Sequence, residues 1–579
     1  MAKVTGGEVM AAMLAAEGVD TVFGIIDGTY FGFYSALERH GIRLVSPRHE
    51  TSALHMAGAY ARLTGRVGVA MASNGPGVAN ALPGVAVEQG EGNRVLLLTS
   101  ARRTGISYPE RGGTFQYFDQ VGVIGPMSKQ SQAVPSHERL PEMLRRAFRA
   151  TWEGRPGVVH VDVPEDLING DSPLDLGTEV RPPATYRRVD PIEPSEAMVR
   201  RVADALRSAE RPLVHAGTGV VHADAHDALQ AVASLTGAPV ITSWGGRGAL
   251  VESGNHLAVP MSHLDLYTRL RTEADVVLVL GSRIGETDWW GKPPYWGRPG
   301  EQTIIQVDVD DATLGGTRPI DLAVLADIGP FLARLRDDLM SHPPTPRPDT
   351  WSAERTSDRA KLDKRLEKST DAVNPAWVPI RAAQAFGEDA IWVFDGGNST
   401  VWSHFFHETT HPNSLLTTFK FGMLGAGVAQ ALGAQVAAPD RRVVCLIGDG
   451  AMGFHPQEVE TAVRNELPVV WVVFVDRQWG MVKMNQQFAL KPLKTVVRKS
   501  LSEDETINAD FAEIRFDDLA RSMGAHGVRV STNDGLADAL AEARDVGGPA
   551  VVHVDVDPVA HMWAPALRAF KDMHGEPGG

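Results

Sequence analysis

Short runs of apolar residues recur along this chain, each separated from the next by a stretch with helical spacing. The first set lies at residues 21–26, 67–72, 95–99 and 157–163. These runs are apolar at successive positions instead of alternating ones, which predicts strands covered on both faces. Helical stretches between them predict a parallel sheet sandwiched by helices. A proline-rich, charged stretch at 172–194 interrupts the pattern, and a second set follows at 212–215, 276–280 and 303–307. The next break is His342-Pro343-Pro344-Thr345-Pro346-Arg347-Pro348 with a charged run to Lys364, a composition too polar to bury. A third set occupies 390–394, 442–447, 469–474 and 550–554. The expected fold class is therefore α/β, with three doubly wound parallel-sheet domains. Their expected bounds are 1–185, 190–340 and 365–579, the last carrying a C-terminal tail.

Composition narrows the classes of function. A chain of 579 residues exceeds what one hydrophobic core supports, in keeping with several domains. The net charge of −15 argues against nucleic acid or an anionic membrane as principal partner, and means that a small anionic substrate needs local positive charge. The single cysteine, Cys445, sits inside an apolar run, so a buried thiol is expected and no disulfide framework. The opening Met1-Ala2-Lys3-Val4-Thr5-Gly6 lacks a signal-peptide core, and no window approaches the roughly 20 apolar residues of a membrane span. The expectation is a cytoplasmic protein with no membrane partner.

The chemistry gathers at the ends of apolar runs. Gly448-Asp449-Gly450-Ala451 closes one run and opens a helical stretch, where glycines admit close approach of phosphate and free N–H groups face it. The next run ends at Val475-Asp476-Arg477-Gln478-Trp479-Gly480-Met481. Two carboxylates at the carboxyl ends of neighbouring parallel strands lie where such sheets bind ligands, and with a loop carbonyl and diphosphate oxygens they suit octahedral Mg²⁺. A bare Gly-Asp-Gly by itself marks only a tight turn.

Gly448-Asp449-Gly450, the polar residue at 476 and Gly480-Met481 resemble the thiamine-diphosphate motif. Arg48-His49-Glu50, with the segment 55–65 behind it, resembles the stretch that carries the cofactor's activating glutamate. Ser73-Asn74-Gly75-Pro76-Gly77-Val78-Ala79-Asn80 is similar to the turn that lines the same site. In this order the motifs resemble the acetolactate synthase family along the whole chain. The resemblance implies that Glu50 pairs with the aminopyrimidine ring and promotes the imino tautomer that activates the thiazolium carbon. It implies side-chain ligation of Mg²⁺ by Asp449 and Asp476 and carbonyl ligation by Gln478. Cofactor contacts are implied for Asn80, Gly397, Asn398, Gly448, Gly450, Ala451, Gly480 and Met481, with Leu424 as the apolar wedge that bends the cofactor. Val475-Asp476 departs from the family's usual asparagine pair and brings an added negative charge to the metal. The family builds each site from two chains, which implies a homodimer at minimum and a dimer of dimers, or homotetramer.

On the substrate side, Gly113-Thr114-Phe115-Gln116 resembles the segment whose glutamine reaches the reacting carbon. Asp27, in Ile26-Asp27-Gly28-Thr29-Tyr30, is either a proton carrier or a turn former. Local similarity to sulfoacetaldehyde acetyltransferases falls at Asn74 and at Arg477-Gln478-Trp479-Gly480. Lys491, Lys494, Arg498 and Lys499 form either an anion site or, as the readier reading, a solvated loop balanced by Glu503, Asp504 and Glu505. Gly281-Ser282-Arg283 leaves FAD, ADP or no nucleotide open for the middle domain. The tail 561–567 either closes over the site or simply docks.

The expected activity is decarboxylation of a 2-oxo acid with ligation to an acceptor. Its alternatives are phosphate-dependent acetyl transfer, 2-hydroxyacyl-CoA cleavage, flavin-dependent oxidation of a 2-oxo acid, and a silent cofactor-binding protein.

Overall fold

The computed structural model describes residues 4–107 and 109–567. The chain forms two compact units. One comprises Met1–Asp190, Gly425–Asp440 and His455–Leu467; the other comprises Pro191–Leu424, Arg441–Phe454 and Pro468–Gly579.

The first unit is built on a six-stranded parallel sheet whose spatial order is Arg43–Val45, Thr21–Gly24, Gly68–Ala72, Val95–Ala101, Val158–Pro164, Gln130–Ala133. Numbered along the chain, that order is 2-1-3-4-6-5. Val95–Ala101 and Val158–Pro164 are buried at every position, which is why they read as near-continuous apolar runs, with Thr99, Ser100, His160 and Asp162 as their buried polar exceptions. Helix Glu50–Thr64 is buried from Glu50 to Ala61. It packs against helix Ala426–Ala437, and a Cβ on Gly433 would lie only 2.2 Å from the Met56 carbonyl oxygen, so small residues let the two backbones touch. Both helices are covered on nearly every side, so even Thr51, Ser52 and His55 of the first and Gln430 and Gln435 of the second are buried.

The second unit carries two further six-stranded parallel sheets. The sheet from Pro212–Ala216 to Leu322–Leu325 has the order 3-2-1-4-5-6, and the sheet from Ile391–Asp395 to Ala550–Asp555 repeats the 2-1-3-4-6-5 order of the first unit. Three parallel sheets clothed by helices bear out the α/β expectation. In the last sheet Val443–Gly448 and Val470–Val475 are central neighbours, buried throughout, so the Asp449 and Asp476 loops leave the same edge side by side. Cys445 lies fully buried in the first of these strands, and burial raises its thiol well above the usual range.

The polar run before Lys364 differs from the expectation that it is too polar to bury. It forms helix Ser352–Asp363, seated by Trp351 and Leu362, which are both buried. Its charges are answered by partners distant in the chain: Arg269 Nε donates to Glu354 at 2.7 Å, and the Arg355 guanidinium donates to the Asn255 and Glu252 carbonyls. Upstream, Arg347 donates to the carbonyls of Leu206, Ala209 and Thr236. Arginines reaching backbone acceptors anchor a stretch whose composition alone reads as linker.

Candidate active site

In the first unit the candidate residues gather at the carboxyl edge of the sheet. Glu50 is the first residue of its helix, whose N-cap is His49, with Nδ1 accepting from the Thr51 amide at 3.2 Å. The Glu50 carboxylate is buried and accepts from Asn80 Nδ2 at 3.1 Å. The Asn80 carbonyl in turn accepts from the Thr51 hydroxyl, tying the two helices that hold the pair. Gly77 keeps the space open, since a Cβ there would lie 2.7 Å from Ser73 Oγ and 3.2 Å from Glu50 Oε1.

The turn before it depends on Gly75, which has φ +66°; a Cβ there would lie 2.6 Å from the Gln116 carbonyl oxygen. Asn74 is buried, its amide donating to Ser100 Oγ at 2.9 Å and its Nδ2 to the Gln116 carbonyl at 3.0 Å. Gln116 itself is exposed and sits at φ +54°. Asp27 caps the short turn Gly28–Tyr30, accepting from the Thr29 amide at 2.8 Å, and is exposed; Thr29 Oγ1 meets Ser100 Oγ at 2.8 Å. Asp27, Asn74 and Gln116 are thus joined through one small network.

Gln120 holds that network and was not singled out by the sequence. Its Oε1 accepts from the Gly75 amide at 2.8 Å, while its Nε2 donates to the Ser100 carbonyl at 3.0 Å and to Asp162 Oδ1 at 2.7 Å. Burial pushes the Asp162 carboxyl up to about 7, against the hydrogen bonds from Thr99 and Gln120 that favour the charge.

In the second unit a cavity of about 490 Å³ is lined by Gly397, Asn398, Leu424, Gly448, Asp449, Gly450, Ala451, Asp476, Gln478, Gly480 and Met481. Every cofactor and metal candidate from this part of the chain is brought together there. Asp449 accepts from the amides of Gly450 and Arg477, each at 2.7 Å. Its carboxyl is raised to about 7, first by burial and then by repulsion from Asp476. A buried carboxylate held against a second one, as Asp449 is against Asp476, is suited to a divalent cation, which removes the repulsion. At the start of helix Asn398–Phe406, both side-chain atoms of Asn398 are buried with no partner among the described residues, as is Thr400 Oγ1. An unmet amide lining a cavity beside glycine turns fits a polar oxygen-rich group such as a diphosphate. Gly480 is required for the close fit, because a Cβ there would lie 2.8 Å from Asn398 Nδ2.

Asp476 has a partner the sequence did not reveal. His561, on helix Pro558–Met562, places Nδ1 2.7 Å from Asp476 Oδ2, and both side chains are buried. Gln478 Nε2 spans the same Asp476 oxygen at 3.1 Å and the Pro558 carbonyl at 2.9 Å. Glu286, Thr287 and Lys420 also line the cavity. The basic stretch at 491–499 is largely engaged elsewhere: Lys491 Nζ lies 2.8 Å from Glu505, Lys494 binds the same carboxylate, and Lys499 sits over the Trp563 ring at 5.3 Å.

Comparison with known proteins gives these two constellations a common meaning. Residues 4–123 match the thiamine pyrophosphate enzyme N-terminal TPP binding domain, 199–335 the central domain, and 395–554 the C-terminal TPP binding domain. These matches define a thiamine-diphosphate-dependent enzyme. The acetolactate synthase large subunit of Parasynechococcus marenigrum is 30% identical over 567 residues, covering 96% of this chain and 88% of that one. Isozyme 3 large subunit of acetolactate synthase from Escherichia coli is 28% identical, with 98% and 97% covered. A sulfoacetaldehyde acetyltransferase of Alcaligenes xylosoxydans xylosoxydans is 29% identical, with 94% and 91% covered. The chain belongs to the acetolactate synthase family.

Proposed function

We propose that this enzyme decarboxylates a small 2-oxo acid and joins the remaining fragment to a second carbonyl acceptor, using thiamine diphosphate and Mg²⁺. The observation that carries the reading is Glu50, a buried carboxylate fixed at its helix start by the Asn80 amide and paired, among the described residues, with no cation. A carboxylate so placed is free to share a proton with a ring nitrogen. When bound, the cofactor supplies a nucleophilic carbon and an electron sink.

Asp449 and Asp476 would hold Mg²⁺ through side chains and Gln478 through its carbonyl, with the cation relieving the repulsion that raises Asp449. Asn398, with Gly397, Gly448, Gly450, Ala451, Gly480 and Met481, would receive the diphosphate, and Leu424 would wedge the cofactor. Gln116 would meet the substrate at the edge of the first sheet, with Asp27 beside it. Among the described residues, Lys420 is the one lysine or arginine lining the cavity and would attract the substrate's negative group. Each site is completed from two chains, so the working form is a homodimer, paired into a tetramer, acting in the cytoplasm.

The test is CO₂ release from pyruvate and a panel of other 2-oxo acids with thiamine diphosphate and Mg²⁺, with Glu50→Gln as control. Release that vanishes in the variant supports the reading; no release from any acid despite cofactor binding overturns it. Acetyl transfer onto phosphate is the second reading, favoured by the locked, buried Asn74 and by the Alcaligenes relative. Phosphate-dependent turnover selects it. For the central sheet we read no bound nucleotide: at its switch point the amides of Gly217 and Gly219 already donate to the carbonyls of Leu280 and Gly281 at 2.8 and 3.0 Å, leaving a phosphate little purchase. Purified protein is expected to lack flavin absorbance near 450 nm.

A further inference from the structure

We infer that His561 is a positioning residue for the metal ligand Asp476, so that the C-terminal helix helps build the Mg²⁺ site. This deepens the proposed metal reading and rests on it. A carboxylate only accepts hydrogen bonds, so the 2.7 Å contact fixes the proton on His561 Nδ1, which donates to Asp476 Oδ2. Gln478 Nε2 donates to the same oxygen. Asp476 Oδ1 receives no hydrogen bond among the described residues, so the two oxygens are divided: one is held by the protein, and one is left for a cation. The imidazole is packed in place, lying over the Phe474 ring with centroids 5.6 Å apart and planes 26° apart.

The helix that carries His561 is tied down on several sides. The His561 carbonyl accepts from Trp402 Nε1 at 2.9 Å, the Pro558 carbonyl accepts from Gln478, and Asp557 caps the helix by accepting from the Ala560 amide at 2.7 Å. An asparagine at 476 would offer one oxygen to the metal and an N–H₂ group behind it. Aspartate reverses that second atom from donor to acceptor, and His561 with Gln478 supplies the donors it then needs. Partners that orient a metal ligand in this way are worth about 10- to 100-fold in metal affinity.

The experiment is thiamine diphosphate binding by the full-length apo enzyme as a function of Mg²⁺, followed by quenching of tryptophan fluorescence, with the thermal midpoint of each apo variant as folding control. His561→Ala is expected to raise the Mg²⁺ concentration needed for half-maximal binding about 10-fold or more. His561→Asn, which keeps a donor near the Nδ1 position, is expected to recover most of that loss, while His561→Gln, whose donor falls near Nε2, is not. In the Asp476→Asn background the same His561 substitutions are expected to change the Mg²⁺ requirement less than about 3-fold. Equal losses in both backgrounds, or equal behaviour of the Asn and Gln variants, overturn the inference and leave His561 a packing residue. If His561→Ala does not fold, the Asn and Gln comparison still decides. Binding by the unaltered enzyme that ignores Mg²⁺ overturns the metal reading itself, an outcome distinct from Mg²⁺-dependent binding that His561 does not influence.

Discussion

Glu50 and Asp162 are both buried carboxylates of the first unit, and their surroundings set them to different ends. Glu50 has one amide donor and an open side kept by Gly77. Glu50→Gln is expected to lower kcat by roughly 10²- to 10⁴-fold while leaving the thermal midpoint nearly unchanged, because the side chain still accepts from Asn80. Asp162 is structural, and burial raises it to about 7. The folded chain therefore binds this proton more tightly than the unfolded one, so the stability it contributes is full below about pH 4 and is lost as pH rises toward 7. Asp162→Asn keeps an acceptor for Thr99 and removes that loss. Its thermal midpoint relative to the parent is expected to rise between pH 5 and pH 8, by an amount equivalent to about 1–3 kcal/mol. At this scale the sequence reveals Asp449 and Asp476 because glycines and strand ends frame them. It conceals His561, which meets Asp476 from 85 positions away, and Gln120, whose partners Gly75, Ser100 and Asp162 come from three different segments.

Turns, more than strands, distinguish one element from another here. The buried strands declare themselves as apolar runs, and their ends fall within a few residues of the expected ones. The turn at Gly75 is also legible, since glycine before proline at a helix start admits few conformations. Gly75→Ala introduces a Cβ at φ +66° against the Gln116 carbonyl, so a destabilisation of about 1 kcal/mol or more is expected, together with a fall in kcat/KM as Gln116 is displaced. Gln120→Leu is expected to lower kcat/KM in the same direction, because the Gly75 amide loses its acceptor. Steady-state kinetics with calorimetry separates the two effects. The charged stretch before Lys364 was not legible as a helix. Its seating depends on Trp351 and on arginine contacts to distant carbonyls, and neither leaves a periodic trace in the sequence.

The whole molecule repeats one strand order in its first and last sheets, an order that apolar runs do not record because it lies in how the strands pair. A proposal that each site draws on two chains has a direct test. Glu50→Gln and Asp449→Ala chains, each inactive alone, are expected to recover about a quarter of full activity when co-expressed in equal amounts, because half the dimers are mixed and each mixed dimer holds one intact site. Sites confined to one chain would give none. Cys445 has a separate consequence for following this molecule. It is the sole thiol and lies fully buried in the strand that leads to the Asp449 turn. An alkylating reagent can reach it only when that sheet opens, so at reagent concentrations high enough for the rate of mass gain in native buffer to level off, that rate times the opening events themselves. The chain thus carries a built-in clock for the breathing of its cofactor-bearing half, readable by mass spectrometry without any engineered label.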